Sequence, residues 1–254
     1  MLVDIDGVLY VEDEPVAGAR DALARLRERG LGIRLLTNTT AHSRAGTLEK
    51  LRRLGFEVLD GDVVTPAGLA LAHCRESEHR RAALVMNEEV KRDFPDLEEA
   101  DRDVDVVIVG DLGDAFSYDV LNRAFRFVMD GAELVALQKN RFWRTADGLS
   151  LDVGAFVAAL EYATGREAFL VGKPAGAFFL APLAELGVEV EAAVMVGDDI
   201  ESDIGGALAA GLRAVLVRTG KYRADVAAAS RIEPTAIVAS IADVPGLLRQ
   251  ASCA

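Results

Sequence analysis

Cysteine is scarce in this chain: Cys74 and Cys253 are the only two among 254 residues, far apart and without ligand-like spacing. That argues against a disulfide framework or a cysteine-built zinc site, and it suits a reducing compartment. Histidine is nearly as sparse. His42, His73 and His79 are scattered and read as surface or helix-face residues rather than as a metal cluster. No apolar run reaches the ~18 residues needed to cross a membrane, and Asp4 and Asp6 break the first apolar stretch, which argues against a signal peptide. Basic residues are outnumbered, 28 Lys and Arg against 41 Asp and Glu, for a formal net charge of -13. That sign disfavours a nucleic-acid backbone or an anionic membrane surface as partner. It leaves small phosphates open, provided a cation, a lysine or backbone amides neutralise charge locally. The expectation is a soluble, cytoplasmic protein. Proline-rich linkers and internal repeats are also missing, so domain edges are unmarked by composition.

What is present is an alternation of periods. Ala19, Ala22, Leu23 and Leu26 recur at helical spacing before Gly30, and 33–37 then reads as a buried strand. A helix over 43–54 closes at Gly55, and Thr65-Pro66 opens another with an N-cap residue followed by proline. The rhythm returns near the C-terminus, with strands at 169–171, 193–196 and 214–217, helices at 175–186 and up to Ala210, and a last pair at 236–238 and 241–250. This βαβα order predicts an α/β fold, a Rossmann-like parallel sheet whose ligands gather at the carboxyl ends of its strands. Between the halves lies a stretch with strands of its own at 83–86, 104–109 and 134–137 and helices at 118–129 and 153–163. The expected organisation is core 1–79, an inserted smaller α/β domain 80–167, and core 168–254.

Four short segments fall at predicted strand ends. In Asp4-x-Asp6-Gly7, alternation sends both carboxylates the same way, so one can attack while the other moves a proton. Thr37-Asn38 offers a hydroxyl and an amide to a phosphate-like oxygen, although the pair would also serve as a helix cap. Lys173-Pro174 places a cation after the 169–171 strand, where it could equally be one more solvated lysine. Gly197-Asp198-Asp199-Ile200-Glu201-Ser202-Asp203 supplies carboxylates that would also complement a helix N-terminus. The coincidence of the four points to phosphoryl transfer. A phosphoryl group in flight and an attacking carboxylate are both anionic, so a hard cation such as Mg²⁺ must stand between them, with Asp4 and Asp198 as ligands and Lys173 as a second positive charge.

In this order and on this core, the four motifs resemble those of the haloacid dehalogenase (HAD) superfamily of phosphohydrolases, over the whole chain. An insert between Thr37-Asn38 and Lys173 looks like subfamily IIA, with its C2-type cap. The strings Phe116-Ser117-Tyr118, Gly148 to Gly154, Val171 to Pro174, Gly197 to Ile200 and Arg218-Thr219-Gly220-Lys221-Tyr222 look like the phospholysine phosphohistidine inorganic pyrophosphate phosphatase-like branch. The resemblance implies that Asp4 is the nucleophile forming an aspartyl-phosphate and that Asp6 is the acid and base. Asp6 would also lend its backbone carbonyl to Mg²⁺, Asp198 would bind the metal directly, and Asp203 and Asp199 would orient it from behind. It implies a Mg²⁺-dependent phosphatase acting on a small phosphorylated compound, a phosphate monoester with pyrophosphate or a phosphoamide among the candidates, and a homodimer formed through the cap.

The cap would choose the leaving group. Candidates are 114–118 and Lys139-Asn140-Arg141-Phe142-Trp143-Arg144, with Asn140 and Arg141 foremost; the alternative places Phe142 and Trp143 in the cap core. Three rival functions share the scaffold: a phosphotransferase or phosphomutase, a metal-free dehalogenase, and a non-catalytic phosphate-binding protein. Asp6 and Asp198 speak against the second and the intact motif set against the third. With only Met1, Leu2 and Val3 before Asp4, the expectation is that either the first strand is clipped or the chain as given begins late.

Overall fold

A computed structural model describes residues 1–145 and 148–251. The chain divides into two compact units.

The first unit comprises Met1–Thr37, Thr47–Val64 and Lys173–Ala254. Its sheet has six strands in the spatial order Ala236–Val238, Arg213–Val217, Val194–Gly197, Leu2–Asp4, Arg34–Leu36 and Val63–Val64, each parallel to its neighbours. Leu2–Asp4 is therefore a central strand, and Leu2 and Val3 are wholly buried, as a parallel strand covered on both faces requires. The Ala19–Glu28 helix buries the predicted stripe Ala19, Ala22, Leu23 and Leu26 against Val3, Ile5, Leu35 and Val215. The Gly176–Leu186 helix buries Phe178, Phe179 and Leu183. These elements carry the carboxyl ends of Leu2–Asp4, Arg34–Leu36 and Val194–Gly197 to one edge of the sheet, where the predicted site residues begin.

The second unit comprises Asn38–Gly46 and Thr65–Gly172. It holds a five-stranded parallel sheet in the order Phe169–Leu170, Glu133–Ala136, Val106–Val109, Arg81–Val85 and Glu98–Glu99. Strand alternation divides its apolar residues between two faces. Val106, Ile108 and Val135 pack with Ala67, Ala70, Leu71 and Cys74 of the Pro66–Glu76 helix. Val107, Val109, Leu134 and Ala136 pack with Ala124 and Val128 of Tyr118–Met129 and with Val153, Val157 and Leu160 of Val153–Thr164.

The expected boundaries therefore move. Pro66–Glu76, placed in the core by the sequence, covers a face of the second sheet, because its apolar residues match the stripe Val106, Ile108 and Val135. Thr65 starts it as expected, its Oγ1 accepting from the Gly68 N–H at 3.2 Å with Pro66 in the first turn. Phe169–Leu170 also leaves the core, since it pairs with Val135 and Ala136. Asn38–Gly46 joins the second unit too: the Asn87 Nδ2 donates to the Thr40 carbonyl at 3.1 Å, and the Asp111 N–H to Thr40 Oγ1 at 3.1 Å.

Candidate active site

The site grows from the carboxyl end of the central strand of the first unit. Asp4 closes that strand and is 5% exposed. Lys173, equally buried, donates from Nζ to Asp4 Oδ1 and to Asp203 Oδ1, the latter at 2.6 Å. One ammonium thus ties together two carboxylates that are 169 and 30 residues away from it in sequence. Burial works against the Lys173 charge, but Asp203 and Asp4 outweigh it and hold the group above the ordinary lysine value.

Asp203 arrives through a local departure from the expected helix. Over Ile200–Gly205 the turn widens, and the Asp199 carbonyl accepts from both Asp203 N–H and Ile204 N–H at 3.1 Å. The wide turn returns Asp203 Oδ2 to the backbone N–H groups of Asp198 and Asp199, at 3.2 and 3.1 Å. Both Asp203 oxygens are engaged, so this carboxylate positions its neighbours. Asp199, expected behind the metal, caps the turn, its Oδ1 accepting from Glu201 N–H and Ser202 N–H at 2.9 and 3.0 Å.

Asp198 is 2% exposed and lies between two glycines. A Cβ on Gly7 would stand 2.7 Å from the Asp198 Cγ, and one on Gly220 3.0 Å from it, and both glycines have positive φ, 87° and 57°. Asp198 Oδ2 accepts from the Lys221 N–H at 2.6 Å, and Thr219 Oγ1 donates to the Gly7 carbonyl at 2.6 Å. Thr219, Gly220 and Lys221 thus form the wall of the site opposite Gly7. The sequence displays them as a recognisable string but offers no reason for a role, because which residues Thr219 and Lys221 face is set by the tertiary fold.

Asp6, on the turn after the strand, accepts from Thr37 Oγ1 at 2.9 Å. Tyr10 also hydrogen-bonds it; burial, and then the Asp6 charge, raise the phenol above its ordinary pKa, so its proton stays. Thr37, expected to offer its hydroxyl to a phosphate-like oxygen, here donates it to Asp6. Asn38 belongs to the second unit, where its Oδ1 borders Gly172.

Carboxylate oxygens of Asp4, Asp198 and Asp203, one from each, lie within 4.8 Å of one another. Burial, and then Asp203, push Asp198 up to about 7, and burial with the same neighbour raises Asp4 well above the carboxylate range against the pull of Lys173. Three buried carboxylates around one buried ammonium leave an excess of negative charge. With oxygen donors only, this set fits a hard divalent cation such as Mg²⁺. Asp4 and Asp198 are the carboxylates that would hold it.

Of the second-unit candidates, Arg141 is exposed and Asn140 half-buried. The Asn140 carbonyl accepts from the Gly154 N–H at 2.9 Å, fixing that loop to the start of the Val153–Thr164 helix. Phe142 and Trp143 are each 54% exposed on a hairpin formed with Gly148–Leu151, so they are not core residues. The Arg144 side chain lies outside the described residues.

A parallel α/β core with a buried aspartate at the end of its central strand, a lysine on it and an acidic loop beside it defines a class of carboxylate-centred hydrolases. Residues 1–100 match the model of the haloacid dehalogenase-like hydrolases, and 170–244 that of the HAD-hydrolase-like group. The human haloacid dehalogenase-like hydrolase domain-containing protein 2 is 43% identical over 88% of this chain and 85% of its own. The bovine phospholysine phosphohistidine inorganic pyrophosphate phosphatase is 39% identical over 98% and 94%. The solved glycerol phosphate phosphatase of Mycobacterium tuberculosis, in complex with magnesium, superposes with a TM-score of 0.83 at 30% identity, covering 94% of this chain and 74% of that one. This chain belongs to the haloacid dehalogenase-like hydrolase family, and within it is an enzyme of the phosphatase kind.

Proposed function

We propose that this protein is a Mg²⁺-dependent phosphatase that hydrolyses a small phosphorylated compound through an aspartyl-phosphate on Asp4. The observation that carries the reading is the buried constellation of Asp4, Lys173, Asp198 and Asp203 at the end of the central strand. In this reading an Asp4 carboxylate oxygen forms a bond to phosphorus as the bond to the leaving oxygen breaks. Asp6, oriented by Thr37 and Tyr10, delivers a proton to that leaving oxygen. Asp6 then takes a proton from water, whose oxygen attacks phosphorus, releasing phosphate and restoring Asp4. Lys173 holds Asp4 in place and balances its charge throughout. Mg²⁺, when bound, would screen the phosphoryl oxygens from the attacking carboxylate.

The second unit serves as the cap in this reading, with Asn140, Arg141 and 114–118 choosing the leaving group. The exposure of Arg141 supports that role. Phosphate monoesters head the candidate substrates, followed by pyrophosphate and phosphoamides. A cytoplasmic setting accords with a buried, free Cys74 and with the lack, among the described residues, of any helix long and apolar enough to cross a membrane.

The test is phosphate release from a panel of phosphorylated compounds with and without Mg²⁺, together with acid-quench trapping of labelled enzyme. The expected result is Mg²⁺-dependent release and a trapped phosphoenzyme, both lost in Asp4→Asn. Full activity in that variant would remove the nucleophile.

A further inference from the structure

Two of the three histidines, scattered in sequence, meet on one carboxylate in the second unit. His73 Nε2 lies 3.0 Å from both oxygens of Glu133, and His79 Nε2 lies 2.7 Å from Oε2. The three side chains come from different supports: the last turn of the Pro66–Glu76 helix, the loop that follows it, and the first residue of the Glu133–Ala136 strand.

The backbone is bent to make this meeting. After the helix, the His79 N–H donates to the Cys74 carbonyl at 2.9 Å and the Glu78 N–H to the Arg75 carbonyl at 3.3 Å, the paired bonds of a Schellman motif. The left-handed position of that motif is usually glycine; here it is Glu78, with φ 59°. The motif turns the chain back so that His79, six residues on, stands beside His73, their ring centroids 6.3 Å apart. Phe169, from the neighbouring strand, stacks on His73 at 4.0 Å and 17°, which fixes the plane of that ring and dries one side of the cluster.

We propose that His73, His79 and Glu133 form a second metal site, for a borderline divalent ion of the zinc class, separate in chemistry from the carboxylate site. Two imidazole nitrogens and one carboxylate oxygen are a donor set for Zn²⁺ or Co²⁺, whereas Mg²⁺ takes oxygen. All three donor atoms fall within 4.8 Å of one another. Donors sharing one zinc lie about 3.3 Å apart, given bonds of about 2.0–2.1 Å, so modest side-chain rotation suffices. The side chains are 19%, 18% and 33% exposed, half-buried with room for water to complete the shell. Cys74 stays out of the set: it is buried in the apolar cluster with Ala70, Ala82 and Val106 rather than gathered with the three donors. Bound there, the ion would pin the end of the helix to the first residue of a sheet strand and stabilise the second unit.

The test uses the full chain, stripped with chelator and then held in excess Mg²⁺ so that the oxygen site is filled. Titration with Zn²⁺ by calorimetry, and with Co²⁺ by visible absorption, should show one site per chain in the wild type, with a Co²⁺ band of nitrogen-containing four- or five-coordinate geometry. Zn²⁺ should also raise the Tm. His79→Gln and Glu133→Gln should each weaken binding on the order of 100-fold and abolish the Tm shift. His42→Gln should change neither. Mg²⁺-dependent phosphate release, retained in both test variants, checks that they fold. No Zn²⁺ or Co²⁺ uptake by the wild type in excess Mg²⁺, or unchanged uptake in both test variants, overturns the site.

Discussion

Gly7 and Asp198 occupy mutually exclusive space: any side chain at position 7 would put its Cβ 2.7 Å from the Asp198 Cγ, and even closer to Oδ2. The turn after the central strand is thus shaped to the carboxylate that follows the neighbouring strand, and the φ of 87° at Gly7 permits it.

Gly7→Ala should therefore displace Asp198 as well as strain the turn. We expect phosphatase activity to fall at least about 100-fold and stability by about 2–4 kcal/mol, from the clash and the left-handed backbone together. Denaturant unfolding and steady-state rates check this. A variant with wild-type rate and stability would mean that the turn can open without cost.

Asp203→Asn replaces a group that only accepts hydrogen bonds with one whose amide end must donate. Whichever way the amide turns, its NH₂ faces either the Lys173 ammonium or the N–H groups of Asp198 and Asp199. The expected loss is about 2–4 kcal/mol of stability, with a drop in kcat. Urea unfolding of the metal-free protein measures it, and a loss below 0.5 kcal/mol would show that the network relaxes, which is an order-of-magnitude threshold of roughly a surface substitution.

Stability should respond to pH and Mg²⁺ together. Asp198 is raised to about 7 when folded, against 3.8 for an ordinary aspartate, so the folded state binds the extra proton between those values. Without metal, this group lowers stability progressively as pH climbs from about 4 to about 7, and the penalty stays constant above that. The proposed Mg²⁺ would bind the ionised form. The rise in Tm on adding Mg²⁺ should accordingly be larger at pH 8 than at pH 5.5, and Asp198→Asn should flatten the difference. An equal rise at both pH values would contradict the burial argument.

Arg141→Ala should reorder substrates without abolishing chemistry. The expected outcome is an altered kcat/KM ranking among phosphorylated compounds, with hydrolysis of a small aryl phosphate retained. Equal loss on every substrate would remove the specificity role.

Periodicity made much of the fold legible. The Tyr118–Met129 helix and the Ala236–Val238 strand stand where alternation of apolar residues puts them, because their patterns are strong and their ends marked. The Ile200–Gly205 turn was not legible. Its sequence reads as an ordinary acidic helix start, and only the need to return Asp203 to Lys173 and to two backbone amides widens it. Pro66–Glu76 and Phe169–Leu170 were misplaced for a related reason: their sequences specify a helix and a strand, but not the sheet that receives them.

The main helices and strands, the parallel α/β class and the identity of the acidic and basic residues that make up the site were determined by the sequence alone, since these follow from local periodicity and residue chemistry. Tertiary structure decided which of those residues meet. Lys173 finds Asp203 and Asp4, Lys221 offers Asp198 both a backbone N–H and its charge, and His73 and His79 converge on Glu133. Such meetings depend on strand order and on how a turn is bent, and neither leaves a periodic trace in the chain.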